Sequence, residues 1–213
     1  MLSEEVAKIL LYRRAVTLNL KRPYRFASGI LSPVYTDNRL LLSYPAERKK
    51  IVGAFSEVID GKKLSFDVIA GVATGAIAWA ALLAEKYGKP MIYVRSAAKG
   101  HGKENLIEGR IEKGQKVLII EDLVSTGGSS IVAVRGVRDA GGEVVACLAI
   151  FSYEMDTALK TFAESECELI TLTTFSSLLD VAEKQKYITG EEVTIAKEWS
   201  RAPSSWGQSM GFE

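Results

Sequence analysis

From Asp67 onward the chain alternates short runs of apolar, often β-branched residues with longer stretches whose apolar positions recur at helical spacing. The short runs predict strands over 67–71, 90–95, 116–121, 143–150 and 168–173. The longer stretches predict helices over 76–87, 127–140, near 156–164 and near 176–184. Such alternation implies an α/β fold, a central, mostly parallel sheet flanked by helices on both faces. Gly88 and the pair Gly141-Gly142 sit where a left-handed residue stops a helix. The uncharged run over 68–84 is shorter than the ~20 residues a spanning helix needs. Broken by Gly71, Thr74 and Gly75, it reads as strand, loop and helix.

The first sixty residues follow a different pattern, with a helix near 3–14, a turn-rich stretch over 21–43 and a helix over 45–59. They are expected to form an N-terminal hood (1–60) on a core of residues 61–213, the two making one structural domain. Pro203, Trp206 and several Ser and Gly in the tail over 199–213 suggest a loosely packed end, with Trp199 and Trp206 docking on the body or on a partner chain.

Charge narrows the function classes. With 27 Lys plus Arg against 26 Asp plus Glu in 213 residues, the formal charge is +1, which is too balanced for a polyanion groove, so no nucleic-acid partner is expected. The two cysteines, Cys147 and Cys167, form neither a disulfide framework nor a thiolate metal site and suit a reducing cytosol. Acidic residues near Met1 argue against a secretion signal, so the expected place is cytoplasmic, with no membrane association. His101 is the one histidine, which leaves a single imidazole base for any triad.

Four segments carry chemistry. Val117-Leu-Ile-Ile-Glu-Asp-Leu-Val-Ser-Thr-Gly-Gly-Ser-Ser130 is a buried strand that delivers two acids and then a hydroxyl-rich turn to its carboxyl end. Ligands of open parallel sheets bind at that edge, and a helix N-terminus after Ser125–Ser129 suits a phosphate. Glu121 and Asp122 have the wrong sign for phosphate and suit sugar hydroxyls or a metal-bound ligand. The second segment, Arg95 to Gly109, places Arg95, Lys99, His101 and Lys103 around two glycines; it is either a mobile cationic loop for a polyphosphate or a solvated basic hairpin. The third, Gly71-Val-Ala-Thr-Gly75, is either a second anion nest or a loop whose glycines serve helix packing. The fourth, Phe26 to Arg39, offers Tyr35 to stack on a planar ring and Thr36 to hydrogen-bond its edge, or else is a ribbon with a core tyrosine. The GxxxxGK[ST] and GxGxxG spacings are absent.

Taken together, these segments resemble the type I phosphoribosyltransferases, whose hallmark is an apolar strand, two acids and a Ser/Thr-Gly turn. Phe26-x-Ser-Gly-x-x-Ser-Pro-x-Tyr-x-Asp, Gly71-Val-Ala-Thr-Gly75 and Arg95-x-x-x-Lys-x-His-Gly are similar, in that order, to the branch acting on orotate. The resemblance spans about residues 10 to 175. It implies the type I phosphoribosyltransferase fold and a pentosyltransferase that uses orotate, 5-phosphoribosyl 1-diphosphate (PRPP) and magnesium to make orotidine 5'-monophosphate and pyrophosphate in pyrimidine synthesis. The magnesium would be held through PRPP and water rather than by protein ligands.

By position, PRPP would meet Glu121, Asp122, Leu123, Val124, Ser125, Thr126, Gly127, Gly128 and Ser129, and orotate would meet Ser125, Tyr35 and Thr36. The resemblance also implies a homodimer with shared active sites, in which Arg95, Lys99 and His101 act across the interface on the pyrophosphate. Two departures stand out. Ser96 occupies a position where many members have lysine, and Ile150-Phe-Ser-Tyr-Glu154 replaces an Asp-Arg-x-Glu pattern. Ser152 thus stands where an arginine usually meets the orotate carboxylate, leaving Arg25, Arg39 or backbone N–H groups as substitutes. A phosphoribosyltransferase for a purine or uracil, or a PRPP-sensing regulator, is the rival expectation.

Overall fold

A computed structural model describes residues 1–26, 28–95 and 106–212. Its centre is a six-stranded sheet built from β5 (Val68–Val72), β6 (Met91–Val94), β7 (Ile107–Glu108), β8 (Lys116–Val124), β9 (Glu143–Ser152) and β10 (Leu169–Thr174). The spatial order is β10-β9-β8-β5-β6-β7, parallel throughout except for β7, which pairs antiparallel with β6. The central strands are apolar on both sides because both sides are covered. Val68, Ile69, Ala70 and Val72 of β5 are buried, as are 117–120 of β8 and 146–151 of β9.

Around these five parallel strands run α1 (Leu2–Tyr12), α2 (Pro45–Gly61), α3 (Ile77–Tyr87), α4 (Gly128–Asp139), α5 (Asp156–Glu164) and α6 (Phe175–Lys184). Helices α2 and α3 touch each other, as do α4 and α5, and β9 packs against both α2 and α4. Gly88 ends α3 in the left-handed region at φ 59°, and Gly141 follows α4 at φ 86°. The expected strand–helix alternation is present, with β8 and β9 running further than their apolar cores. Their ladder continues through Leu123↔Phe151 and Val124↔Ser152, because backbone pairing persists past the two acids at 121–122 that interrupt the apolar pattern.

The N-terminal segment adds two small ribbons. β1 (Val16–Leu18) pairs with β4 (Val34–Thr36), and β2 (Tyr24–Arg25) pairs with β3 (Leu31–Ser32); a 3-10 helix follows at Asn38–Ser43. No helix among the described residues is long and apolar enough to cross a membrane.

The C-terminal segment corrects the sequence reading. It is not loosely packed: residues 190–209 form α7 (Gly190–Arg201) and α8 (Pro203–Ser209). A capping box opens α7, with Thr189 Oγ1 accepting from the Glu192 N–H and the Glu192 carboxylate accepting from the Thr189 N–H. Pro203 stands in the first turn of α8, where its missing N–H costs nothing. Trp79, Trp199 and Trp206 are all buried. The indole N–H groups of Trp199 and Trp206 donate to the carbonyls of Leu31 (3.0 Å) and Ile195 (3.1 Å).

Candidate active site

The chain leaves β5 toward β6 on one side and leaves β8 toward β9 on the other, so the carboxyl ends of the adjacent strands β5 and β8 form a topological switch point. Connecting loops diverge there and open a crevice. A pocket of about 350 Å³ occupies it, lined by Thr36, Asp37, Arg39, Ala73, Thr74, Gly75, Glu121, Asp122, Leu123 and Ser129.

Strand alternation gives the two acids different surroundings. Glu121 is 3% exposed, and its carboxylate accepts from Ser130 Oγ (2.9 Å), Ser129 Oγ (3.3 Å) and the Asp122 N–H (3.2 Å). It therefore ties the end of β8 to the first turn of α4. Burial, followed by the neighbouring Asp122 charge, pushes the Glu121 carboxyl up to about 8. Burial also pushes the Asp122 carboxyl up from its ordinary value.

Asp122 meets the opposite loop at Gly75. A Cβ placed on Gly75 would collide with the Asp122 carboxylate. Gly71, at the other end of that loop's motif, has a packing role instead, since a Cβ there would lie 3.0 Å from Ala80 Cβ and 3.1 Å from the Ala76 carbonyl. Gly71 thus makes room for α3, and Gly75 for the Asp122 side chain. The Ala73–Thr74 peptide is cis, and the Ala73 N–H donates to the Val94 carbonyl at 2.8 Å.

The turn between β8 and α4 needs its glycine. Gly127 adopts φ 83°, and a Cβ would sit 3.2 Å from the Phe162 ring. Gly128 opens α4, whose first-turn N–H groups have no helical acceptor and face an incoming anion with the positive end of the helix dipole.

The third wall comes from the N-terminal segment. Asn38 Nδ2 donates to the Asp122 carbonyl at 2.6 Å, which holds this segment against β8. Arg39 forms a two-pronged pair with Asp37 (2.7 and 3.0 Å). Beside Arg39, the Asp37 carboxyl is held below its ordinary value.

Of the residues expected from the sequence, the pocket brings together Thr36, Glu121, Asp122, Leu123 and Ser129. Ser125, Thr126 and Gly127 form the adjoining turn, with Ser125 Oγ 3.7 Å from Met155 Sδ. Val124 is buried in the core. Tyr35 is 45% exposed, its ring centroid 5.6 Å from that of Tyr24. Arg95 lies at the sheet edge, paired with Glu108 at 3.5 Å. Lys99, His101, Lys103 and Ser96 fall outside the described residues. Ser152 is turned to local use, its hydroxyl accepting from the Glu154 N–H at 3.0 Å.

Sequence reading counts Asp37 only as a position of the Phe26-to-Asp37 motif and assigns no role to Asn38. The available signal was their place directly after Thr36 in a polar run, Asp-Asn-Arg, that a plain ribbon has no need of.

An acid whose pKa is raised by folding binds more protons folded than unfolded, so its contribution to stability falls as pH rises from the usual carboxylate range toward about 8. Glu121→Gln should flatten that decline, which for one proton reaches about 1.4 kcal/mol per pH unit. Thermal melts of both proteins from about pH 5 to about pH 9 measure it. Parallel curves would show that Glu121 titrates as it does in the unfolded chain.

The phosphoribosyl transferase domain family matches residues 40–186. The orotate phosphoribosyltransferase of Coxiella burnetii is 48% identical over 202 residues, covering 95% of this chain and 97% of that protein. Its counterpart in Listeria monocytogenes serotype 4b is 46% identical over 207 residues, covering 97% and 99%. Among solved structures, the orotate phosphoribosyltransferase of Aeropyrum pernix superposes with a TM-score of 0.74 at 31% identity, covering 86% of this chain and 99% of that one.

Proposed function

The chain belongs to the phosphoribosyl transferase family and, within it, to the orotate phosphoribosyltransferases, and we propose that its reaction runs in the crevice between β5 and β8. That reaction transfers the 5-phosphoribosyl group of PRPP to orotate, giving orotidine 5'-monophosphate and pyrophosphate, a step of pyrimidine synthesis. The observation that carries the placement is Asp122 facing Gly75 across the switch point, beside the open first turn of α4.

The turn Ser125–Ser129 takes the 5'-phosphate on its N–H groups and hydroxyls. Asp122 accepts from the ribose hydroxyls, with Glu121 fixing the strand end that presents it. Bare of a side chain, Gly75 leaves room for the Asp122 carboxylate that meets the ribose. Orotate lies toward Thr36, Tyr35 and Ser125, and Arg39 supplies the positive charge for its carboxylate that Ser152 lacks. In a homodimer with shared sites, Arg95, Lys99 and His101 serve the diphosphate bound in the neighbouring subunit. Residues 1–60 act as the hood on the base side of the core.

Among the described residues, no group of three or more His, Cys, Asp or Glu is placed to hold a metal. The Glu121 carboxylate is already engaged by Ser130, Ser129 and a backbone N–H. Asp122 would be the side chain to hold, through water, a magnesium ion brought in with the diphosphate. Such an ion, when bound, offsets the negative charge of the leaving group. The chain's own part is electrostatic: it holds the pentose and the base in line and places cations where charge develops on the departing pyrophosphate.

Incubation with PRPP, magnesium and a panel of orotate, uracil, adenine, guanine and xanthine tests the assignment. Loss of orotate absorbance is expected, and turnover of another base alone would overturn it. Asp122→Asn should lower kcat/KM for PRPP by about ten- to a hundredfold. Wild-type kinetics for that variant would remove Asp122 from the ribose site.

A further inference from the structure

The wall of the pocket formed by residues 36–39 is held from inside by Asn38 on the Asp122 carbonyl. From outside it is held by the C-terminal helices. Trp199 of α7, with no exposed surface, donates its indole N–H to the Leu31 carbonyl at 3.0 Å. Gly207 of α8 lies so close to Leu31 that a Cβ would stand 2.9 Å from Leu31 Cδ1 and 3.1 Å from its Cβ.

Leu31 connects to the pocket by a short, stiff path. Ser32 Oγ both donates to the Val34 carbonyl (2.7 Å) and accepts from the Val34 N–H (3.2 Å), locking β3 to β4, and β4 ends at Thr36. A second path runs through aromatic rings. Trp199 meets Tyr153 edge-on at 5.1 Å, and the Tyr153 phenol faces Thr36. Both paths converge on Thr36, which lines the pocket.

We propose that α7 and α8 form a brace that sets the position of the Thr36 wall for the incoming base, with Trp199 as its positioning residue and the Leu31–Gly207 contact as its second anchor. This rests on the reading above, in which Thr36 lies on the orotate side and 121–129 on the PRPP side. Neither Trp199 nor Gly207 touches the reacting atoms. Their effect is therefore on where the acceptor sits.

Two full-length variants test the brace. Trp199→Phe keeps a ring beside Tyr153 and removes the donor to Leu31. Gly207→Ala leaves Trp199 intact and pushes a methyl into Leu31, at a helical position where alanine is otherwise favoured. In both, KM for orotate should rise about five- to tenfold while kcat and KM for PRPP stay within about twofold.

A purely structural role would lower the melting temperature and leave both KM values unmoved or moving together, and that result overturns the brace. If Trp199→Phe fails to fold, Gly207→Ala decides on the same criterion. Absence of orotate turnover in the wild-type chain is a different failure, one that removes the functional reading and the brace with it.

Discussion

Gly75→Ala should lower kcat/KM for PRPP by about a hundredfold or more, the scale expected when a binding group is displaced by about an ångström. The new methyl falls on the Asp122 carboxylate. With the Asp122 backbone held by Asn38 and Glu121, the carboxylate gives way by rotating about its own side-chain bonds, out of the position proposed to meet the ribose. Gly75 does not occupy the left-handed region, so alanine suits its backbone. The loss should therefore appear in catalysis rather than in the fold. Steady-state kinetics with PRPP as the varied substrate, alongside a circular dichroism melt, measures both. A variant with wild-type kcat/KM would show that nothing essential passes between the two loops.

Lys99→Ala should reduce kcat by about a hundred- to a thousandfold, the cost of removing one donor aimed at charge that develops in the transition state. PRPP affinity should change far less, because in the role proposed for Lys99 the contact strengthens only as the bond to pyrophosphate breaks. Comparison of single-turnover rates with PRPP dissociation constants separates the two effects. Equal losses in both would assign Lys99 to ground-state binding.

Most of the parallel sheet was legible in the sequence, for a physical reason. Strands covered on both faces must be continuous apolar runs, and 68–72, 117–120 and 146–151 are such runs, each followed by a helix-period stretch. Gly88 and Gly141 punctuated them because few other residues take a left-handed backbone without strain. The edge strand β7 was not legible: two residues, Ile107 and Glu108, are extended only because Tyr93 and Val94 lie beside them, and no local pattern records a distant partner.

The C-terminal segment misled for the opposite reason. The Pro, Ser and Gly content of 199–213 resembles a tail, yet Pro203 is a residue that suits the first turn of a helix, and α8 begins there. In the site, the acids and the hydroxyl turn after β8 were recognisable because two carboxylates at a buried strand end need a partner. What the sequence left open was which glycine of 71–75 faced the pocket. That answer depends on β5 and β8 being neighbours, a fact of topology rather than of pattern.

The burial of every indole in the chain gives the protein a built-in optical gauge. Trp79, Trp199 and Trp206 are shielded from water in the folded state, so their emission should lie toward the blue and redden as the chain unfolds. Of the three, Trp199 donates its indole N–H to Leu31, in the segment leading to Thr36. A spectral change on adding orotate at constant temperature should therefore come mainly from that chromophore and shrink in Trp199→Phe.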